Sequence, residues 1–155
     1  MMHAATNDRR HEASGGPAAR TEAVDTATRE LSDTECWEVL GASGIGHLAF
    51  QTQPIGVDIV PINYLITDRQ LFFRSASGTK LSNIAHHPQV AVQVERLVGG
   101  RWLSVVLKGQ AVRLALDEEI ERSRVLELAP AQPGEKFNYV RIAPDAITGR
   151  TFAAT

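Results

Sequence analysis

The stretch VDIVPINYLITDRQLFFRSASGTKL, residues 57–81, contains two runs of apolar and β-branched residues that are joined through TDRQ. Such runs are typical of β-strands, and a connection this short joins neighbouring strands as an antiparallel hairpin. The second run leads into small polar residues and then into a helical pattern that begins at Thr79. The stretch therefore predicts strand, turn, strand and helix, with a polar turn where the helix starts.

The strand pattern continues on both sides of this stretch. Valine, isoleucine, leucine and aromatic residues dominate runs that are bounded by turn residues, and VGGR forms a second tight connection. The predicted strands are Gly46–Gln51, Val57–Thr67, Gln70–Ala76, Val90–Val98, Trp102–Leu116 and a last strand in FNYVRIAPDAITGRTF. Strands linked so briefly are antiparallel, and few helices separate them. The predicted fold is mainly β, a small six-stranded antiparallel barrel with peripheral helices.

Three helices are predicted around these strands. Ser32 and Glu35 form a capping-box pattern, with Leu31 and Cys36 placed as its hydrophobic staple, so a short helix starts there. A second helix covers about Thr79 to His86 and is stopped by Pro88. The third is predicted over Asp117 to Leu128, with Asp117 as its N-cap.

Composition narrows the class of protein. The chain has 155 residues, 43% of them hydrophobic, with a net charge of -2 and a single cysteine. We expect one domain over 29–155, preceded by a disordered tail over 1–28 that is poor in large apolar residues. The absence of a basic block argues against nucleic acid as a partner, and no apolar run is long enough for a membrane span or a signal peptide. With no disulfide framework, the expected location is cytoplasmic.

The polar turn gathers groups that bind anions. Where a strand turns into a helix, the first backbone N–H groups and the helix dipole favour a negative charge. Five side chains add a guanidinium, hydroxyls and an ammonium: Arg74, Ser75, Ser77, Thr79 and Lys80. Such a set could hold a phosphate monoester. The alternative is a serine- and threonine-rich helix start with two solvated cations.

Two better-known phosphate motifs do not fit. A P-loop requires lysine directly after its second glycine, and here Thr79 follows Gly78. Gly44 to Ala49 matches G-x-G-x-x-A, but a helix precedes it and a strand follows, which is the reverse of the dinucleotide-binding order. The turn is therefore interpreted without either motif.

Several patterns, taken together, resemble the pyridoxamine 5'-phosphate oxidase-like family of FMN-binding split barrels. They are P-I-N-Y at 61–64, F-R-S-x-x-G-x-K-L at 73–81, HPQVAVQVE at 87–95, W-x-S-V-V-L-K-G at 102–109 and a closing strand YVRIAPDAITGR. The resemblance covers most of residues 31–152. It implies a six-stranded split β-barrel that forms a homodimer, with one flavin at each of two sites across the interface.

The resemblance also implies which residues hold the cofactor. The first strand of the hairpin would lie along the isoalloxazine ring, the turn would hold the phosphate with Phe73 beside it, and two residues of a later strand would reach the cofactor, often from the partner chain. The implied cofactor-binding residues are Val60, Pro61, Ile62, Asn63, Tyr64, Phe73, Arg74, Ser75, Thr79, Lys80, Trp102 and Ser104.

The match has departures that bear on function. RIAP at 141–144 continues into DAITGRTF, whereas the similar ending of the vitamin B6 enzymes closes the chain, so that activity is doubtful here. Arg74 stands where nitroimidazole-reductase-like members often carry histidine. Relatives that bind the deazaflavin F420 or heme keep both cofactors open as alternatives to FMN.

Two functions remain from the sequence. The first is an FMN-dependent oxidoreductase acting on a small molecule, whose catalytic residues are unknown, and the second is a carrier or sensor of flavin, F420 or heme without turnover. A titratable side chain near the ring would favour the enzyme, and His47 and Tyr64 are the candidates. His86 and His87 adjoin each other on a helix and are poorly placed to share a metal, so no metal site is predicted.

Overall fold

The computed structural model of the protein describes residues 27–129 and 138–154. Its strands are β1 Arg29–Glu30, β2 Ser43–Thr52, β3 Gly56–Thr67, β4 Gln70–Ser75, β5 Gln89–Val98, β6 Arg101–Arg113 and β7 Asn138–Ala153. Its helices are α1 Asp33–Leu40, α2 Thr79–His86 and α3 Asp117–Ser123, followed by a 3-10 turn at Val125–Glu127. The predicted strands and the first two helices are confirmed, with ends that differ by a few residues.

The strands form one antiparallel sheet whose two ends meet. Its order is β1-β7-β4-β3-β2-β5-β6, and β6 also pairs with β7. The long β7 makes this possible, because its first residues pair with β4 while most of its length pairs with β6. Six strands therefore form a closed ring, with β1 added at the edge of β7. The mainly β fold with peripheral helices is confirmed.

A close approach of backbones shapes the seam between β6 and β7. The register shifts between Lys108 and Gly109. A Cβ atom on Gly109 would lie 2.1 Å from the Ala143 carbonyl oxygen, so this position accepts no side chain without moving the strands apart.

Alternate residues of the strands build the main core inside the ring. Successive side chains of a strand point to opposite faces, so the buried positions recur with a period of two. The largest fully buried side chains inside the ring include Leu48, Tyr64, Leu71, Phe73, Val92, Leu107 and Ile142. A second, smaller cluster forms outside the ring, where α3 and the 3-10 turn cover Leu65, Phe72 and Leu114.

Helix α1 starts as the sequence predicts. The Glu35 amide donates to the Ser32 hydroxyl at 3.2 Å, and the Ser32 amide donates to the Glu35 carboxylate at 2.8 Å. Leu31 and Cys36 are both buried in the main core, as expected for the hydrophobic staple. Burial raises the pKa of the Cys36 thiol.

The third helix is shorter than predicted. It ends at Ser123, because Arg124 adopts a left-handed backbone with φ of 63°, and a 3-10 turn replaces the expected last turns. Asp117 is the first helical residue, and the N-cap is Leu116. Ser123 contributes to the break, since its hydroxyl accepts from the Val125 amide and donates to the Ile120 carbonyl.

The predicted disordered tail lies almost entirely outside the described residues, so that expectation and the domain boundary at residue 29 stay predictions. Of the described part, Ala27 and Thr28 precede β1, and the Ala27 carbonyl accepts from the Arg101 guanidinium at 2.6 Å. Within the described ranges, no helix has the length and apolar character needed to cross a membrane.

Candidate functional site

The turn between β4 and α2 exposes the start of a helix. The N-cap of α2 is Gly78, whose φ of 155° suits glycine, and within residues 27–129 and 138–154 no side-chain hydrogen bond caps this end. The first amide groups of a helix have no partner within the helix, so an acceptor from outside it can bind them. Helix α1 differs in this respect, because its capping box already occupies its first amides.

Lys80 and Thr79 stand at this helix start. Thr79 is exposed, and the Lys80 ammonium lies 5.9 Å from the centre of the Phe73 ring. Phe73 itself is fully buried inside the barrel, and the Lys80 ammonium lies over its aromatic ring. An ammonium, a hydroxyl and open amide groups thus meet at one end of the barrel, which is a suitable environment for a phosphate group.

The serines of the turn are engaged within the protein. Ser75 is buried, and its hydroxyl donates to the Ala76 carbonyl at 3.0 Å. The Ser77 hydroxyl accepts from the Asn138 side-chain amide at 3.2 Å, which ties the turn to the first residue of β7. Ser77 keeps a proton to donate, whereas Ser75 acts mainly in shaping the turn.

Arg74 points away from the side of β4 on which Phe73 and Ser75 lie. Its guanidinium donates to the Leu128 carbonyl at 3.1 Å and stands 5.7 Å from the centre of the Tyr139 ring. Asn63 acts in parallel, because its amide donates to the Ala129 carbonyl at 3.0 Å. These two predicted cofactor residues therefore hold the segment after the 3-10 turn against the outer face of β3 and β4.

The ring strand is β3, which is predicted to lie along the isoalloxazine ring of the flavin. It presents few side chains to the outside of the barrel. Val60, Ile62 and Tyr64 turn toward the main core, whereas Pro61 and Asn63 lie on the outer face. The Tyr64 hydroxyl donates to the Leu40 carbonyl at 2.7 Å, and burial raises the pKa of this phenol. Tyr64 is thus part of the core, and only Pro61, Asn63 and the strand backbone remain to face a bound ring.

His47 lies on the outer face beside the ring strand. It pairs with Pro61 on β3 and with Gln93 on β5, and it is exposed. Of the two titratable candidates from the sequence, the structure therefore places only His47 on the face that the ring strand presents.

Trp102 and Ser104 also point out of the barrel, but they lie at a distance from β3. Both belong to β6, and the Ser104 hydroxyl accepts from the Gln93 amide at 3.2 Å. In the closed ring, β2 and β5 separate β6 from β3 on one side and β4 and β7 separate them on the other, so the two groups lie on opposite sides of the barrel. One chain alone does not bring Trp102 and Ser104 to Pro61 and Asn63.

An apolar surface extends from the same outer face. Val57 and Ile59 on β3 are 70% and 61% exposed, and Ile45 on β2 is 68% exposed. Their spacing of two along each strand was visible in the sequence, but which face the rest of the chain covers was not. A cavity of about 510 Å³ lies in a different place, along β6 and β7, and it is lined by Ser104, Val106, Gly149, Arg150 and Phe152 among others.

The described residues contain no group of three or more histidine, cysteine, aspartate or glutamate side chains that could hold a metal ion. The His86 ring interacts with the Ser82 carbonyl at 2.8 Å, and the His87 ring contacts the Gln53 amide. The two adjacent histidines therefore have different partners.

Comparisons with known proteins identify the family of the chain and relatives with the same fold. The profile of the family described as pyridoxamine 5'-phosphate oxidase matches residues 32–151. The structure is similar to that of the FAD binding protein from Mycobacterium smegmatis, with 31% identity, a TM-score of 0.66, and 80% of this chain and 98% of that chain covered. It is also similar to a FAD-binding protein from Mesorhizobium loti, with 27% identity, a TM-score of 0.70, and 81% and 99% covered.

A heme binding protein from Mycobacterium smegmatis shares the fold at 16% identity, with a TM-score of 0.62 and coverage of 73% of this chain and 51% of that chain. A comparison with curated proteins gave no match.

Proposed function

Because the chain belongs to the pyridoxamine 5'-phosphate oxidase family, we propose that it is an FMN-binding oxidoreductase that acts as a homodimer on a small molecule. The observation that carries this proposal is the start of α2, which no side chain of the described residues caps, with Thr79 and Lys80 beside it. The amides, the hydroxyl and the ammonium would hold the flavin phosphate, since each is a donor and the acceptor is a dianion.

The other predicted cofactor-binding residues have different roles in this proposal. Phe73 supports Lys80, and Ser75 shapes the turn. Arg74 would add to the phosphate site through its charge, while its bond to the Leu128 carbonyl also holds the neighbouring segment. The backbone of Val60–Tyr64, with Pro61 and Asn63 outward, would line the ring.

Two observations support the proposed dimer. The exposed apolar residues of β2 and β3 form a surface that burial in an interface would stabilise. Trp102 and Ser104 lie on the opposite side of the barrel from β3 of the same chain, so they would reach the flavin of the partner. A twofold interface would bring each copy's β6 toward the other copy's β3 and complete both sites.

A bound flavin supplies hydride and electron transfer, and the chain supplies binding, orientation and exclusion of water. His47 is the titratable side chain next to Pro61 and is able to hold a proton near the ring. The sequence alternatives remain F420 or heme, and a carrier without turnover. The similarity to two FAD-binding proteins favours FAD as a second flavin candidate.

The test is identification of the cofactor in purified protein. We expect a flavin absorbance spectrum and, after denaturation, release of FMN in a ratio near one per chain. Release of FAD would correct the cofactor while keeping the flavin site. A Soret band from heme, release of F420, or failure to bind any added flavin would overturn the FMN proposal. Reduction of the bound flavin by NADH or NADPH, followed by its reoxidation by a small-molecule acceptor, would then distinguish an enzyme from a carrier.

A further inference from the structure

A cleft lies between α3 and the turn that joins β3 to β4. It is at the opposite end of β4 from the turn between β4 and α2, the flavin turn, where the flavin phosphate is proposed to bind. Phe72 and Leu114 form part of its apolar floor, and its volume is about 180 Å³. Arg141 on β7 pairs with Phe72, whereas Asn138 pairs with Ser75 beside the flavin turn. Three residues of strand, about 10 Å, therefore separate the two places.

Arg141, which lines this cleft, has a buried Nε atom. Within the described ranges, its Nε is the buried side-chain nitrogen or oxygen atom that has no hydrogen-bond partner. Its nearest carboxylate is Glu119, whose oxygen stands 4.0 Å from Nη1, too far for a hydrogen bond. A buried N–H without an acceptor costs free energy, so a water molecule or a ligand is expected beside it.

The cleft is lined by equal numbers of positively and negatively charged side chains. Arg141 and Arg122 contribute two positive charges, and Asp68 and Glu119 contribute two negative charges. Arg122 is already paired with Glu118 on the exposed side of α3, which leaves Arg141 as the cation with donors to offer inward. A simple anion would meet two carboxylates here, and a simple cation would meet two guanidinium groups.

We propose that this cleft binds a small zwitterion of the α-amino-acid type. The ligand carboxylate accepts from Arg141, including the buried Nε, and the ligand ammonium lies against Glu119 and Asp68. An aliphatic side chain packs on Phe72 and Leu114. The volume suits a small ligand, since a cavity of about 150 Å³ accommodates benzene.

The first experiment titrates the purified protein with L-alanine and L-valine in a calorimeter, with acetate and ethylammonium as the two halves of the ligand. We expect saturable binding of at least one amino acid, and much weaker binding of each half. Acetate binding as tightly as the amino acids would overturn the proposal in favour of a plain anion site. Absence of saturable binding by any of the four would show that the cleft holds water only.

Variants then locate the binding. Arg141→Gln should weaken the amino acid at least about tenfold, because it removes a charge-assisted hydrogen bond. Arg113→Gln is the matched control, since Arg113 is an exposed arginine on the neighbouring strand β6. Glu119→Gln tests the ammonium partner on the surface of α3 should Arg141→Gln fail to fold. Equal affinity in the wild type and both cleft variants would place the ligand elsewhere. Flavin content, measured on the same samples, reports separately on the flavin proposal.

Discussion

The hydroxyl of Tyr64 donates a hydrogen bond to the carbonyl of Leu40 at 2.7 Å, which ties the middle of β3 to the last residue of α1. The Arg96 guanidinium donates to the same carbonyl at 3.3 Å and to that of Val39. Carbonyls at a helix C-terminus have no partner within the helix, so these side chains satisfy them in a buried setting. A residue that resembles a cofactor contact in the sequence thus serves to join the helix to the barrel.

Tyr64→Phe tests this role. The change removes one buried donor while Arg96 still serves the Leu40 carbonyl. We therefore expect a loss of about 1 kcal/mol in the free energy of unfolding, measured by urea denaturation. Flavin affinity should stay unchanged, because the hydroxyl lies on the core side of β3. A variant of full stability that loses flavin would instead place the hydroxyl at the cofactor.

Glu35 makes the stability of α1 depend on pH. Hydrogen bonds from Arg29 and from the Ser32 amide lower the pKa of Glu35 from its ordinary 4.5 to about 2. Because the folded pKa is the lower one, the ionised carboxylate stabilises the fold above about pH 4.5, and this contribution is lost as the pH falls toward 2. The melting temperature of Glu35→Gln should be below that of the wild type at pH 7, and the gap should narrow through this window. A gap that is constant from pH 7 to pH 2 would contradict the ionised capping box.

Lys80→Ala tests the phosphate site. Removing a cation from a phosphate typically costs about 1.5–3 kcal/mol, so FMN should bind roughly 10- to 100-fold more weakly, whereas riboflavin should be almost unaffected. Fluorescence titration of the apoprotein with both ligands measures the difference. Equal losses for the two ligands would mean that Lys80 does not contact the phosphate.

Arg74→Ala in the same assay separates the two roles of this arginine. A phosphate contact predicts a loss for FMN alone, as for Lys80. If the bond to the Leu128 carbonyl is the main role, FMN and riboflavin should weaken together, since the segment beside the ring strand is then released. The phosphate assignment predicts the first outcome.

Ile59→Glu tests the dimer. A carboxylate in the middle of the apolar outer face should raise the dimer dissociation constant at least about tenfold, because burying an unpaired charge is costly. Leu126→Glu is the control, since Leu126 is a similarly exposed leucine on the 3-10 turn. Light scattering at decreasing protein concentration gives the result. A wild type that is monomeric and still binds flavin tightly would exclude an interface site.

Deletion of residues 1–26 tests the tail. These residues include only Val24 and two initial methionines as sizeable apolar side chains, too few to offset an ordering cost of about 1–2 kcal/mol per residue. The cut keeps Ala27, whose carbonyl accepts from Arg101, and it keeps β1. Melting temperature and flavin affinity should equal those of the full chain. Weaker flavin binding at an unchanged melting temperature would identify the tail as a cover for the site.

Local features of the chain could be predicted from the sequence because their causes are local. The apolar runs at 57–67 and 70–75 and the short TDRQ connection mark the hairpin, and Ser32 with Glu35 marks the start of α1. The helix over Thr79–His86 has the predicted ends, since the strand before it and Pro88 after it bound it directly. The family resemblance rests on the same short patterns, and the profile match over residues 32–151 confirms it.

Other features depend on contacts between residues that are distant in sequence. The end of α3 is an example, because Thr67 on β3 donates to the Ser123 carbonyl and Arg74 on β4 donates to the Leu128 carbonyl. Neither partner is visible from the helical pattern over 117–128. The direction of Arg74 has the same origin: its charge is evident in the sequence, but its partner belongs to a segment more than fifty residues away.

The sequence by itself therefore determined the strands, the helix starts and the chemical types gathered at the β4–α2 turn, since these follow from side-chain periodicity and backbone capping over a few residues. Only the tertiary structure decided that Tyr64 belongs to the core, that His47 lies on the outer face beside Pro61, and that Trp102 is three strands away from the ring strand. The physical reason is that an alternating strand offers two faces, and the closure of β6 onto β7 determines which face becomes the inside.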